Sequence, residues 1–307
     1  MSLEELGRYQ NGNYTVTIYE DGTKVRENDL DNLTPEFPEN IDLKITNYCD
    51  MNCPMCHENS TIYGHHGDIL NAKFIDSLRP YTELAIGGGN ALAHPDLSTF
   101  LIKLKAKNII PNLTVNLKHF VENYDFLKVL LDTKLIYGLG VSVPNDANEE
   151  DLLLLKDFDN IVVHVINGIV SIDLLNKLNK IGGLKVLILG YKTLRRGENY
   201  KKQNNKEVNR NMDFLYKNLG LILNISTFKV VSFDNLALEQ LNVKNILNKD
   251  KWNKLYMGDD GSYTMYIDAV TEEYAMSSTS LNRHKVTDNI IDMFNTIRKD
   301  KEQINNG

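Results

Sequence analysis

The chain has 307 residues, 42% of them hydrophobic and 24% charged, and a formal net charge of −7. That length supports a core large enough to dispense with disulfides, and no run of about 18 apolar residues marks a membrane span. The acidic balance argues against a protein that coats nucleic acid, and the N-terminal MSLEELGRYQNGN lacks the features of a secretory signal, so the chain is read as intracellular and cytoplasmic.

In chain order, YTVTIYEDGTKVRE (14–27) alternates on both sides of an Asp-Gly pair and predicts a β-hairpin. DLDNLTPEFPEN reads as a linker and closes a first segment, 1–39. A rhythm of short β-type runs and helix-length segments fills 40–230. The runs are DLKIT (42–46), ELAIG (83–87), NLTVN (112–116), YGLGVSV (137–143), IVVHVI (161–166) and KVLILG (185–190). Segments between them, such as FLKVLLDT and IDLLNKLNK, carry apolar residues three and four apart. Six such units predict an α/β protein with a parallel sheet, as a (β/α) barrel or an open doubly wound sheet. In both, chemistry belongs at the carboxyl ends of the strands. LNISTF (223–228) is a candidate further strand. The last segment, 231–307, is expected to form a small hairpin-helix extension, from the alternating YTMYIDAVTEEYAMSST (263–279) and the amphipathic DNIIDMFNTIRKDKEQ.

The three cysteines, Cys49, Cys53 and Cys56, lie within eight residues, in NYCDMNCPMCHEN just after the first run of that series. An odd number packed so tightly reads as thiolates gathered for a metal, not as a disulfide framework. Two metals fit. Three thiolates on a four-iron cube leave one iron open to an exogenous amine and carboxylate. A zinc site completed by His57, His65 or His66 would instead make a zinc-stabilised binding module. At the end of the second run stands AIGGGNALAHPDL (85–97), whose glycines allow close backbone approach and whose Asn90 offers an amide oxygen without full charge.

On these residues the sequence resembles the radical S-adenosylmethionine (radical SAM) superfamily. The cysteines match its cluster spacing, with Met55 where an aromatic residue is usual. Gly88 and Gly89 match its Gly-Gly-Glu segment, with Asn90 where glutamate is usual. The resemblance implies a partial TIM-type barrel with a [4Fe-4S] cluster on Cys49, Cys53 and Cys56. It places S-adenosylmethionine against Met55, Gly88, Gly89, Asn90, Asn116 and Ser142, with Asn167 a weaker match. It also implies an external one-electron donor, flavodoxin or ferredoxin-like, and reductive cleavage of the cofactor to a 5′-deoxyadenosyl radical. That radical would take hydrogen from a peptide or small-metabolite substrate. The tail resembles a SPASM or twitch-type region stripped of its cysteines. Asn90 keeps open a degenerate member that binds the cluster without turnover.

Other residues have two readings. His94 is expected to shape the start of a helix. The stretch 191–210 holds seven basic residues, of which Lys192, Arg195 and Arg196 either attract a substrate carboxylate or phosphate or belong to a solvated loop. Tyr191, Tyr200, Tyr256 and Tyr263 are candidate radical relays, with packing the competing role.

Overall fold

The computed structural model describes residues 4–30 and 32–306. At the N-terminus, β1 (Glu5–Asn11), β2 (Tyr14–Tyr19) and β3 (Lys24–Glu27) form an antiparallel sheet in the order β1-β2-β3. The expected hairpin is β2–β3. The polar β1 was not legible because tertiary contacts hold it: Tyr9 stacks on Tyr81 at 6.2 Å and meets Phe37 at 5.8 Å.

The second sheet contains β4 (Asn40–Thr46), β5 (Glu83–Gly88), β6 (Ile110–Asn116), β7 (Gly138–Ser142), β8 (Ile161–Ile166), β9 (Lys185–Leu189), β10 (Val230–Phe233), β11 (Thr264–Asp268), β12 (Glu273–Ala275) and β13 (His284–Lys285). Its order is β10-β9-β8-β7-β6-β5-β4-β11-β12-β13. Each strand from β4 to β10 pairs in parallel with the next, and β11 lies parallel to β4 on its other side. The six predicted strands are in place. LNISTF is not a strand: Leu223, Asn224 and Ile225 end the helix Asn205–Ile225, and β10 starts only at Val230. The reason is spacing, since Val208, Asn211, Leu215 and Leu219 recur every three or four residues on the buried face and carry the helix through this stretch. The predicted pairing within 263–279 is β11–β12, with Tyr266 opposite Ala275. β11 also pairs with β4, which ties the segment 231–307 to the barrel sheet.

Strand periodicity sorts the side chains. Ile41, Leu43, Ile45, Leu84, Ile86, Leu113, Val115, Val141, Val163, Val186 and Ile188 are buried under the helices. Burial of each such side chain contributes about 1.5–3 kcal/mol. The alternate positions, including Asp42, Asn112, Thr114, Asn116, Ser142 and His164, are only partly covered and line a lumen. Among the described residues no ladder joins β10 to β11, so the barrel is partial. A side-chain bond bridges this seam instead, from Asn235 Nδ2 to Asp260 Oδ1 at 2.6 Å.

The N-terminal sheet closes the amino end of the barrel. Glu39, fully buried, accepts from Arg26 Nε at 2.8 Å, Arg26 Nη2 at 2.9 Å and the Tyr14 hydroxyl at 2.6 Å. Lys24 pairs with Glu83 at 2.5 Å. With that end plugged, the carboxyl ends of the strands are left for a site. No helix among the described residues is long and apolar enough to cross a membrane.

Candidate active site

The loop 47–67 leaves the carboxyl end of β4 and folds back on itself. Asn47 N donates to His65 O at 2.8 Å, Thr61 N to Asn47 O at 3.1 Å and Cys49 N to Thr61 O at 2.9 Å. Two tight turns follow, Cys56 N to Cys53 O and Asn59 N to Cys56 O, each at 3.2 Å. Asn52 (φ 46°) and Asn59 (φ 55°) take the left-handed backbone these turns need, which asparagine tolerates better than most residues.

Cys49, Cys53 and Cys56 are free thiols, all half-buried. Burial pushes the Cys49 and Cys53 thiols up, Cys56 pushes both further, and Arg196 opposes the shift. All three thiols sit on this one loop, within eight residues of one another. Among the described residues no three His, Cys, Asp or Glu side chains are arranged to hold a single metal ion. His66 Nδ1 lies 2.9 Å from Thr46 Oγ1 with its ring against His94, and His57 Nε2 faces Glu58 at 3.3 Å. Three thiols on one loop fit, by the chemistry of the donor set, a multi-iron group in which each sulfur binds a different iron.

The glycines after β5 make a contact that the sequence reading did not foresee. A Cβ on Gly88 (φ +118°) would stand 2.4 Å from Thr46 O, and one on Gly89 would stand 2.1 Å from Tyr48 O. Both lie against the root of the cysteine loop. Hydrogen bonds hold the same seam, from Gly89 N to Thr46 O at 2.8 Å and from Asn90 N to Tyr48 O at 2.6 Å. The glycines thus let two chain segments touch.

Asn90 follows directly. Its Nδ2 donates to Asp50 Oδ1 at 3.4 Å, and the same carboxylate oxygen is 2.8 Å from His119 Nε2. Asn90 Oδ1 is buried without a partner, as is Asn47 Oδ1 on the cysteine loop. Orphaned acceptors beside three thiols fit a bound group that brings its own donor, such as an ammonium. Asp50 and His119 escaped the sequence reading because Asp50 sits within the cysteine motif and buried His119 meets it only through folding.

Other expected contacts are mixed. Asn116 Oδ1 accepts from Lys118 N at 2.9 Å and caps the helix Leu117–Glu122, which commits that oxygen. Ser142 lies in register with Asn116 and His164 on the lumen face. Burial lowers the His164 imidazole to about 4, so it is neutral at pH 7. The Met55 carbonyl faces Gly197. His94 is structural, with Nε2 at 2.9 Å from Gly67 O and Nδ1 accepting from Asp96 N. Tyr191 is buried and donates to Gly197 O at 2.7 Å, while Tyr263 packs under Arg26.

The basic stretch becomes helical at Arg196, as Arg196–Gln203 and the start of Asn205–Ile225, and its first cations face the cysteine loop. Arg195 Nη1 donates to His57 O at 2.9 Å. Arg196 donates to Asn52 Oδ1 at 2.5 Å and to Ser60 O at 2.6 Å. Lys192 bonds Ser278 Oγ at 2.9 Å. Beneath them is an ion network the sequence reading missed: Lys44 Nζ lies 2.7 Å from Glu58 and 2.9 Å from Asp268. Its sequence signal was a lysine and an aspartate on strands where they alternate with apolar residues, Lys44 in NIDLKIT and Asp268 in TMYID.

No protein-family model matches the sequence, and no curated protein matches it. Among solved structures the fold is similar to Streptococcus suis SuiB. SuiB bound to the precursor peptide SuiA aligns with TM-score 0.55 at 14% identity, over 85% of this chain and 65% of that one. SuiB bound to S-adenosylmethionine aligns with TM-score 0.51 at 13% identity, over 82% and 64%. A further SuiB structure aligns with TM-score 0.55 at 12% identity, over 94% and 86%. In the first two pairs the chain spans less than two thirds of SuiB's length. Identities of 12–14% make this a likeness of fold alone.

Proposed function

We propose that the protein is a radical SAM enzyme. One observation carries the reading: three free thiols within eight residues sit on a loop at the carboxyl end of β4, in a fold similar to that of a protein seen bound to S-adenosylmethionine. Cys49, Cys53 and Cys56 would hold a [4Fe-4S] cluster, with S-adenosylmethionine beside Met55, Gly88, Gly89 and Asn90. Asn116, through its amide nitrogen, and Ser142 would complete the cofactor's surroundings from the strand ends. When bound, this pair supplies one-electron reductive cleavage of the sulfonium, and so hydrogen abstraction from an unactivated carbon.

The chain's own residues do the rest. Asn90 Oδ1 accepts a proton donor of the cofactor, and its amide is oriented by Asp50 and His119. The plugged amino end leaves the carboxyl end of the barrel as the way in for solvent and substrate. The electron comes from an external donor. Of the two substrate classes, a peptide is favoured, because SuiB is seen with a precursor peptide.

The test is anaerobic purification with metal analysis, followed by reduction in the presence of S-adenosylmethionine. The expected result is a brown protein with about four irons per chain that releases 5′-deoxyadenosine. A colourless protein with one zinc would overturn the proposal. Iron without cofactor cleavage would mark a degenerate member.

A further inference from the structure

The basic stretch after β9 was open to two readings, a patch for an anionic substrate or a solvated loop. Arg196 does neither. Its guanidinium is clamped on the cysteine loop at both terminal nitrogens, Nη1 to Asn52 Oδ1 at 2.5 Å and Nη2 to Ser60 O at 2.6 Å. Asn52 is the neighbour of Cys53. The next residue, Gly197, packs so closely that a Cβ there would lie 3.3 Å from the carbonyl of Met55, the neighbour of Cys56. With both ends of the fork spent on the loop, Nε–H is buried and has no partner. A buried cationic donor left unpaired is costly, and a native structure carries one where something else meets it. The clamp sets the guanidinium against the residues next to Cys53 and Cys56, so a sulfur-rich group on this loop is what would bring Nε–H an acceptor.

We infer that Arg196 is a tuning residue for the sulfur-rich group held by Cys49, Cys53 and Cys56, giving it a fixed positive charge and the free Nε–H. The inference rests on the function proposed above. Reduction adds one electron, and hence one negative charge, to the cluster. A positive donor beside its sulfurs stabilises the reduced form and raises the potential. Lysine would keep the charge but lose the planar fork that aims Nε while both Nη groups hold the loop.

The test is a redox titration with dithionite as electron source, followed by electron paramagnetic resonance, on the reconstituted full chain. Wild type, Arg196→Lys and Arg196→Met are compared at matched iron and sulfide content. The expected result is a midpoint potential shifted to more negative values in Arg196→Met, with Arg196→Lys between it and wild type. One potential for all three overturns the inference while leaving the proposed function standing. If Arg196→Met fails to hold iron, Arg196→Lys decides alone: a shift toward negative potential supports the inference, and the wild-type value overturns it. A wild-type chain that binds no iron would instead remove the functional reading and the inference with it.

Discussion

Lys44 on β4 and Glu58 on the cysteine loop meet at 2.7 Å, both almost wholly buried, with Asp268 of β11 on the other side of the ammonium at 2.9 Å. One lysine thus ties the barrel wall, the loop that carries the thiols and the strand that follows the open seam. His57 and Lys44 hold the Glu58 carboxyl far below the ordinary range, against the burial that opposes its ionisation.

Replacing Lys44 by methionine takes the ammonium from between two nearly buried carboxylates and leaves Glu58 the longer contacts with His57 at 3.3 Å and Arg195 at 3.5 Å. Removing one partner of a buried pair costs about 3–5 kcal/mol. Urea unfolding of Lys44→Met should show a loss of that size. A change below about 1 kcal/mol would show the network to be dispensable.

Asp42 predicts a pH dependence. Its carboxyl is walled in by protein, which raises it from 3.8 to about 6, although the side chain stays open to the lumen. Between these values the folded state binds more protons than the unfolded state. Stability from this group is therefore greatest below about pH 4 and is lost as pH rises through about 6. Asp42→Asn should remove that slope and be more stable at pH 7 by about 1 kcal/mol, lumen water screening the rest. Urea midpoints from pH 4 to 7 for both proteins measure it.

Gly89→Ala places a methyl group 2.1 Å from the Tyr48 carbonyl. One segment must move, at a cost of about 1–3 kcal/mol, and the segment free to move carries Cys49. The expected outcome is a lower melting temperature together with less iron retained after reconstitution. Gly87→Ala is the control, because its Cβ would meet nothing closer than Thr114 at 3.8 Å.

At the amino end, Arg26→Met strips Glu39 of its bidentate partner in a fully buried position. The loss should again be about 3–5 kcal/mol. Limited proteolysis should show the N-terminal sheet cut first, since Arg26 and Lys24 anchor it to Glu39 and Glu83 at the amino end of the barrel.

The sequence by itself determined the series of parallel strands and the gathering of thiols. Strand alternation and helix spacing are local periodicities, and Cys49, Cys53 and Cys56 are close along the chain before any folding. It missed β1, whose polar residues are held by distant Tyr81 and Phe37, and it placed a strand at 223–228, where a helix packed along its whole buried face wins. Only the tertiary structure decided what the neighbouring residues do. Gly88 and Gly89 let two loops touch, Asp50 and His119 orient Asn90, and Arg196 is clamped on the cysteine loop. Each of these depends on segments some 40 to 150 residues apart being brought together by the curl of the sheet, and nothing local in the chain records that distance.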